Sequence, residues 1–196
     1  MANKVYNMSG GLHSAAAYSA FEDAMFGSCV ATENDFTISA GTGMNVVIST
    51  GNGLISTGQG FGRRIATDAA NTVSLTAASS SAPRIDSIVA YIDNSVTPTT
   101  NVVDNTNNIL KFISVPGNAA STPSAPSAAT IQSAVGAGNP YMVLWNVSVP
   151  ASATSVSTFT DQRNIAFTPQ VKLVLTNTDP GEGSPLAANT LLGVYQ

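Results

Sequence analysis

The chain has 196 residues, of which 43% are hydrophobic but only 9% are Asp, Glu, Lys or Arg, and its formal net charge is −4. An ordinary soluble domain carries roughly 25% charged residues, so a lone monomer with this composition would be poorly protected against association. The seven Lys and Arg residues are scattered apart from Arg63 and Arg64, which argues against a nucleic-acid-binding surface. The low charge favours a subunit of a larger assembly.

The sequence lacks a membrane span, a secretory signal and a second cysteine, which narrows the class of protein it can be. No apolar run approaches the roughly 18 residues of a membrane span, so we expect no membrane insertion. The first nine residues contain no apolar segment typical of a secretory signal. Cys29 is the only cysteine, so an internal disulfide is excluded and the fold must be held by packing.

A helix is predicted over residues 14–26, with Gly27 as its stop. Tyr18, Phe21 and Met25 recur at helical spacing on one face of this segment. Two interpretations remain open for that face. It packs on the β core of the same chain, or it faces a partner subunit.

From Asp35 onward the hydrophobic period changes to two, which is typical of strands. Ile85–Asp93 is apolar at nearly every position and predicts a strand buried on both sides. Ile109–Val115 is the expected hairpin partner of that strand. Ser127–Val135 is a candidate short helix, and Tyr141–Val149 carries the strongest strand pattern of the chain.

Strict alternation along the last of these strands predicts that Trp145 is a core residue and not a platform for a sugar ring. The predicted buried face consists of Tyr141, Val143, Trp145, Val147 and Val149.

Pro169 marks a predicted domain boundary. Residues 1–168 are expected to form one β-sandwich-like attachment module that includes the N-terminal helix. Residues 169–196 are expected to form a short appendage of strand, loop and strand, with strands at Val171–Leu175 and Thr190–Tyr195. The fold class predicted from the sequence is therefore mainly β, with one N-terminal amphipathic helix and this C-terminal appendage.

Catalysis is not predicted. His13 is the only histidine, and no G-x-S-x-G nucleophile motif accompanies it. Cys29 has no CxxC partner or second histidine for a metal site. Asp86 and Asp93 lie on one predicted strand but on opposite faces, so they cannot act as a carboxylate pair. We expect no enzyme activity, no cofactor and no metal.

Two short charge pairs flank the predicted core strands: Arg84 with Asp86, and Asp161 with Arg163. In a chain this poor in charge, such residues usually have fixed partners. We expect the four to meet across adjacent strands as one structural network. The alternative is two exposed and independent ion pairs.

Six segments of the chain together resemble a known protein module. In chain order the segments are AMFGSCV, GMNVVIST, APRIDSIVAYID, TPSAPS, YMVLWNVSVP and TDQR. Together they resemble the N-terminal module of upper-baseplate and receptor-binding proteins at the tail tip of siphophages, especially those of Gram-positive hosts. The resemblance covers most of residues 14–165 and consists of patterns, with no catalytic signature.

The resemblance implies a β-sandwich-like shoulder module that attaches the adhesion apparatus to the phage tail. Relatives of this kind often continue into a stalk and a saccharide-binding head, and no obvious head follows here, which favours a connector or scaffold role. We expect a virion structural protein, made in the cytoplasm of the host bacterium, that forms a trimer or hexamer and docks onto other tail or baseplate proteins. The alternatives are an adhesin for a host cell-surface saccharide and a capsid decoration or head-fibre protein.

Overall fold

A computed structural model describes residues 15–58, 62–96, 109–166, 172–176 and 190–194. The chain divides into two compact units, Met1–Ala166 and Phe167–Gln196. The described part is mainly β, with two helices, and the first unit contains three antiparallel sheets. The strands in chain order are β1 (Cys29–Val30), β2 (Ile38–Ala40), β3 (Asn45–Ile48), β4 (Gly51–Ser56), β5 (Gly62–Thr67), β6 (Asn71–Ser74), β7 (Arg84–Ile92), β8 (Leu110–Val115), β9 (Tyr141–Val149), β10 (Thr158–Asp161), β11 (Lys172–Thr176) and β12 (Thr190–Val194).

Helix α1 spans Ala15–Phe26, which agrees with the helix predicted from the sequence. It ends at Gly27, whose φ of +58° suits glycine and whose N–H donates to the carbonyl of Asp23 at 2.9 Å. Helix α2 spans Ala128–Val135 and is the candidate short helix of the second half. The side chain of Ser127 caps it by accepting a hydrogen bond from the backbone N–H of Thr130.

The three antiparallel sheets have the strand orders β1-β4-β5, β2-β3-β6 and β10-β9-β7-β8. The predicted hairpin is present, because β7 pairs with β8 from Ser87↔Val115 to Ile92↔Leu110. Among the described strands, the last one in each of these orders pairs with a single neighbour, so β5, β6 and β8 lie at sheet edges there.

Strand β7 is buried on both sides, as its apolar sequence predicted. Ile88 and Ala90 belong to the main hydrophobic core, which also contains side chains of the other two sheets. Val89 lies in a second cluster on the opposite face, where α2 contributes Ile131 and Val135. The central sheet is therefore covered by other strands on one face and by a helix on the other.

A β-bulge corrects the predicted face of β9. Ile88 pairs with Trp145 but the next residue, Val89, pairs with Val143, so Leu144 is an extra residue on β9. One extra residue reverses the alternation of every side chain that precedes it. The main core consequently receives Met142, Leu144, Trp145, Val147 and Val149, while Tyr141 and Val143 pack in the cluster beneath α2.

The second unit contains a parallel strand pair. Strands β11 and β12 are aligned from Lys172↔Thr190 to Thr176↔Val194. The sequence predicted strands at nearly these positions but did not predict their relative direction.

Candidate functional site

A buried ion pair lies at the start of β7. Arg84 donates from Nε to Oδ1 of Asp86 at 2.8 Å and from Nη2 to Oδ2 at 3.0 Å, and the two side chains are 7% and 0% exposed. The guanidinium also donates to the carbonyls of Ala77 at 2.8 Å and Thr76 at 2.6 Å. Asp86 Oδ1 accepts a further bond from the backbone N–H of Gly117 at 3.2 Å. The pair thus connects β7 to two loops.

The second pair is asymmetric in its burial. Arg163 donates from Nη2 to Oδ2 of Asp161 at 2.7 Å, with the arginine side chain 5% exposed and the aspartate side chain 41% exposed. Nη1 of Arg163 donates to the carbonyls of Glu33 and Asp35. The guanidinium carbon lies 4.5 Å from the ring centroid of Trp145, a cation–π contact.

The four charged residues form two separate ion pairs and not the single network that was expected. Arg84 and Asp86 lie on β7 and Asp161 ends β10, and β9 lies between those strands in the sheet. Each arginine binds the carboxylate two residues away in sequence, because residues i and i+2 of an extended segment lie on the same side. Among the described contacts no hydrogen bond joins one pair to the other.

Trp145 is half-buried and fixed on two sides. Its indole packs against the main core, and its Nε1–H donates to the carbonyl of Phe36 at 2.8 Å. Arg163 covers the ring face. Trp145 is therefore a packing residue, as predicted, and its ring is not free to stack on a sugar.

The turn beneath Arg163 is held by several hydrogen bonds. Asp35 Oδ2 accepts hydrogen bonds from the N–H and the hydroxyl of Thr32, at 2.8 and 2.6 Å, and Oδ1 accepts one from the N–H of Asn52 at 2.8 Å. The fully buried Phe36 follows with a φ of +52°. A Cβ on Gly51 would lie 2.5 Å from the backbone nitrogen of Phe36, so only glycine fits there. No hydrophobic pattern or motif in the sequence predicted this turn.

Hydrogen bonds lower the pKa of two carboxyl groups here, those of Asp161 and Asp35. The hydrogen bond from Arg163 lowers the pKa of Asp161. Burial raises the pKa of Asp35, but the hydrogen bonds from Thr32 and Asn52 outweigh it, so the net shift is downward. A carboxyl group whose pKa is lower in the folded state stabilises the fold above its unfolded pKa, and this contribution is lost as the pH falls through the folded value.

We therefore expect the melting temperature to be steady from neutral pH to about pH 5 and to fall below about pH 4, where an unfolded aspartate titrates. Asp161→Asn should lower stability at pH 7 and make the acid decline shallower, measured by circular dichroism melts across pH. Asp68→Asn is the control, because it removes an exposed carboxylate that none of the described ion pairs uses. An identical acid decline in wild type and Asp161→Asn would contradict this assignment.

Helix α1 is fastened to β5 by polar contacts. The hydroxyl of Ser19 donates to the carbonyl of Gly62, and Glu22 forms an ion pair with Arg64, which lowers the pKa of the glutamate. This pair was not predicted. The predicted partner-facing side of the helix contains Phe21, 66% exposed, and Met25, 57% exposed. The side chain of the third predicted member, Tyr18, lies outside the described residues.

A groove of about 320 Å³ opens where the three sheets meet. It is bordered by β5, by the start of β6 and by the adjoining ends of β7 and β8. No sequence motif marks this groove, since its residues come from separate sheets. The one available signal was the Arg63–Arg64 doublet in a chain with only seven basic residues.

The sequence contains one histidine and one cysteine, for which no catalytic or metal-binding role was predicted. His13 lies outside the described residues, and Cys29 is buried, with its pKa raised by burial. The described ranges contain no group of three metal-ligating side chains. Neither described helix has the length and hydropathy needed to cross a bilayer. Comparisons with protein-family models, curated proteins and solved structures found no match to this chain.

Proposed function

We propose that this chain is a virion structural protein of a tailed bacteriophage, a tail-tip or baseplate component that forms homo-oligomers and attaches or scaffolds the host-adhesion apparatus. The sequence resemblance to siphophage baseplate modules supports the phage assignment. The exposed apolar face of α1 is the observation that carries the assembly role. On this proposal the protein is not an enzyme and needs no cofactor.

The face of α1 is suited to a subunit contact. Phe21 and Met25 are one helical turn apart, so their side chains are neighbours on the helix surface. Ser19 and Glu22 hold the helix on β5, so this apolar pair is presented by a fixed element. Contiguous exposed apolar patches mark interaction sites, and Phe21 and Met25 supply two large apolar side chains to such a patch. With 9% charged residues, the chain has few charges to keep such a face from associating.

We further propose that the first unit is sandwich-like, in keeping with the shoulder modules it resembles. The main core supports this, since it joins Ile48 of β3 and Ile55 of β4 to Ile88 and Leu144 of the central sheet. Face-to-face sheets enclose a core of interdigitated apolar side chains in the same way.

The expected location is the phage tail, after synthesis in the cytoplasm of the host bacterium, with other tail or baseplate proteins as partners. A cryo-EM map of the parent particle tests this directly. Density for the chain at the tail tip would support the proposal. Density on the capsid would instead support a decoration or head-fibre role, and a receptor complex would favour a saccharide-binding adhesin.

The oligomer gives a simpler test. We expect the purified chain to form a trimer or hexamer by light scattering at high micromolar concentration. Replacing Phe21 and Met25 together by Ser should shift it towards the monomer without lowering its melting temperature, because both side chains are exposed. Ala24→Ser, another exposed position of α1, is the matched control and should leave the oligomer intact. A wild-type monomer that binds no other tail protein would contradict the proposal.

A further inference from the structure

Two backbone segments near the ends of the first unit lie side by side. Strand β1 follows α1, and residues 164–166 are the last of this unit. Val30 and Ile165 form a parallel bridge. The N–H of Val30 donates to the carbonyl of Asn164 at 2.7 Å, and the N–H of Ala166 donates to the carbonyl of Val30 at 2.8 Å. Tension between the strand that follows α1 and the end of the unit therefore passes through this contact.

The relative direction of the two segments determines how that tension acts on the bonds. Because the segments are parallel, pulling β1 from its N-terminal end and residues 164–166 from their C-terminal end moves them in opposite directions along their length. The hydrogen bonds of a strand pair run across the strands, so both are loaded together. The bonds of an antiparallel hairpin pulled at its open end break one after another. The parallel contact therefore resists tension better than a hairpin with the same number of bonds.

Both segments are also anchored in the unit. Strand β1 pairs on its other side with β4, and the side chain of Val30 is fully buried. The side chain of Asn164 donates to the carbonyl of Ser28 at 3.4 Å. The preceding residue, Arg163, is bonded to Asp161 and to two backbone carbonyls of the turn that follows β1. Sliding one segment along the other therefore disturbs core packing and the bonds of a buried arginine.

We infer that the contact between β1 and residues 164–166, here named the end clamp, bears load and keeps the first unit folded when its two ends are pulled apart. This mechanical property goes beyond the proposed tail role and does not depend on it. It belongs to the folded unit and is measured on the isolated chain. Its failure would leave the tail-tip proposal untouched, and a different location of the chain would leave the end clamp untouched.

The test holds the full chain at constant force in optical tweezers, through peptide tags at its N- and C-termini. The ion pair that helps fasten α1 to β5 has an exposed arginine, so we expect this helix to be pulled away early. Residues 29–166 should then open in a single step that releases roughly 450–500 Å of contour length. The lifetime before that step measures the end clamp, because forced unfolding is governed by the unfolding rate.

A second pulling direction tests the wild-type chain itself. Ser155→Cys places a handle on an exposed residue after β9, and the native Cys29 is buried and does not compete for it. Force between the N-terminus and residue 155 does not pass through residues 164–166. At the same force the unit should open about tenfold sooner in this direction, since the two backbone bonds of the end clamp no longer have to break together.

A pair of proline variants makes the result specific to the end clamp. Ala166→Pro removes one of its two backbone donors and should shorten the lifetime between the termini about fivefold, as expected for one hydrogen bond. Ala120→Pro is the matched control, because it removes an N–H that donates to the carbonyl of Pro83 at 3.0 Å, away from the end clamp. It should change that lifetime less than about twofold. The inference is overturned if the two variants shorten the lifetime equally, or if the wild-type lifetimes are the same in both pulling directions.

Discussion

Arg84→Ala should lower the free energy of unfolding of the first unit by about 3–5 kcal/mol, because it leaves the buried carboxylate of Asp86 without its counter-charge. The carbonyls of Thr76 and Ala77 would lose their donors as well. Urea denaturation followed by circular dichroism measures the loss. This is the largest effect that we expect from any single substitution of a charged residue in the chain.

Arg64→Ala is a matched control for Arg84→Ala. Arg64 also pairs with a carboxylate, that of Glu22, but its side chain is 78% exposed. Arg64→Ala should therefore cost below about 1 kcal/mol. Equal losses from Arg64→Ala and Arg84→Ala would show that burial does not set the energy of the Arg84 pair.

A double substitution separates the ion pair from its surroundings. Arg84→Met with Asp86→Leu removes both charges, and apolar replacements of a buried pair are often neutral or better. Here the carbonyls of Thr76 and Ala77 and the N–H of Gly117 would still lack partners. We therefore expect a loss smaller than that of Arg84→Ala but greater than zero.

Trp145→Ala is expected to destabilise the unit by about 3 kcal/mol, the lower end of the range for a buried aromatic, because the indole is only half-buried. Trp145→Phe keeps a ring on the core but leaves the carbonyl of Phe36 without its donor, which should cost about 1–2 kcal/mol. Thermal and urea melts measure both variants. An unchanged melting temperature for Trp145→Ala would reopen the possibility of a sugar platform at this position.

Arg163 should account for part of the Trp145 effect. A double-mutant cycle of Arg163→Ala and Trp145→Ala isolates the cation–π contact, for which we expect a coupling energy of about 0.5–1 kcal/mol. A coupling energy of zero would mean that the arginine covers the ring without stabilising it.

Hydrophobic spacing along the sequence was sufficient to predict the helices and strands that depend on one continuous segment. Helix α1 and strands β7, β8 and β9 all lie where hydrophobic spacing placed them, within one or two residues. The double-sided burial of β7 also follows from its sequence, because only a covered strand tolerates apolar residues at nearly every position.

The predictions that were wrong concern relations between strands. The bulge at Leu144 exists only in the register of β9 against β7, and an alternation pattern read along one strand cannot contain it. The proposed meeting of Arg84 with Asp161 failed for a similar reason, since β9 separates their strands. The groove beside Arg63 required three sheets to converge, which no single segment of sequence records.

Two backbone hydrogen bonds join the segment after α1 to the end of the first unit. The N–H of Val30 donates to the carbonyl of Asn164 at 2.7 Å, and the N–H of Ala166 donates to the carbonyl of Val30 at 2.8 Å. The segment that follows α1 and the segment that leaves the unit therefore run side by side. Domains whose termini are close tolerate insertion and circular permutation. Residues 29–166 thus begin and end at adjacent backbone positions, an arrangement that suits insertion into a surface loop of another protein.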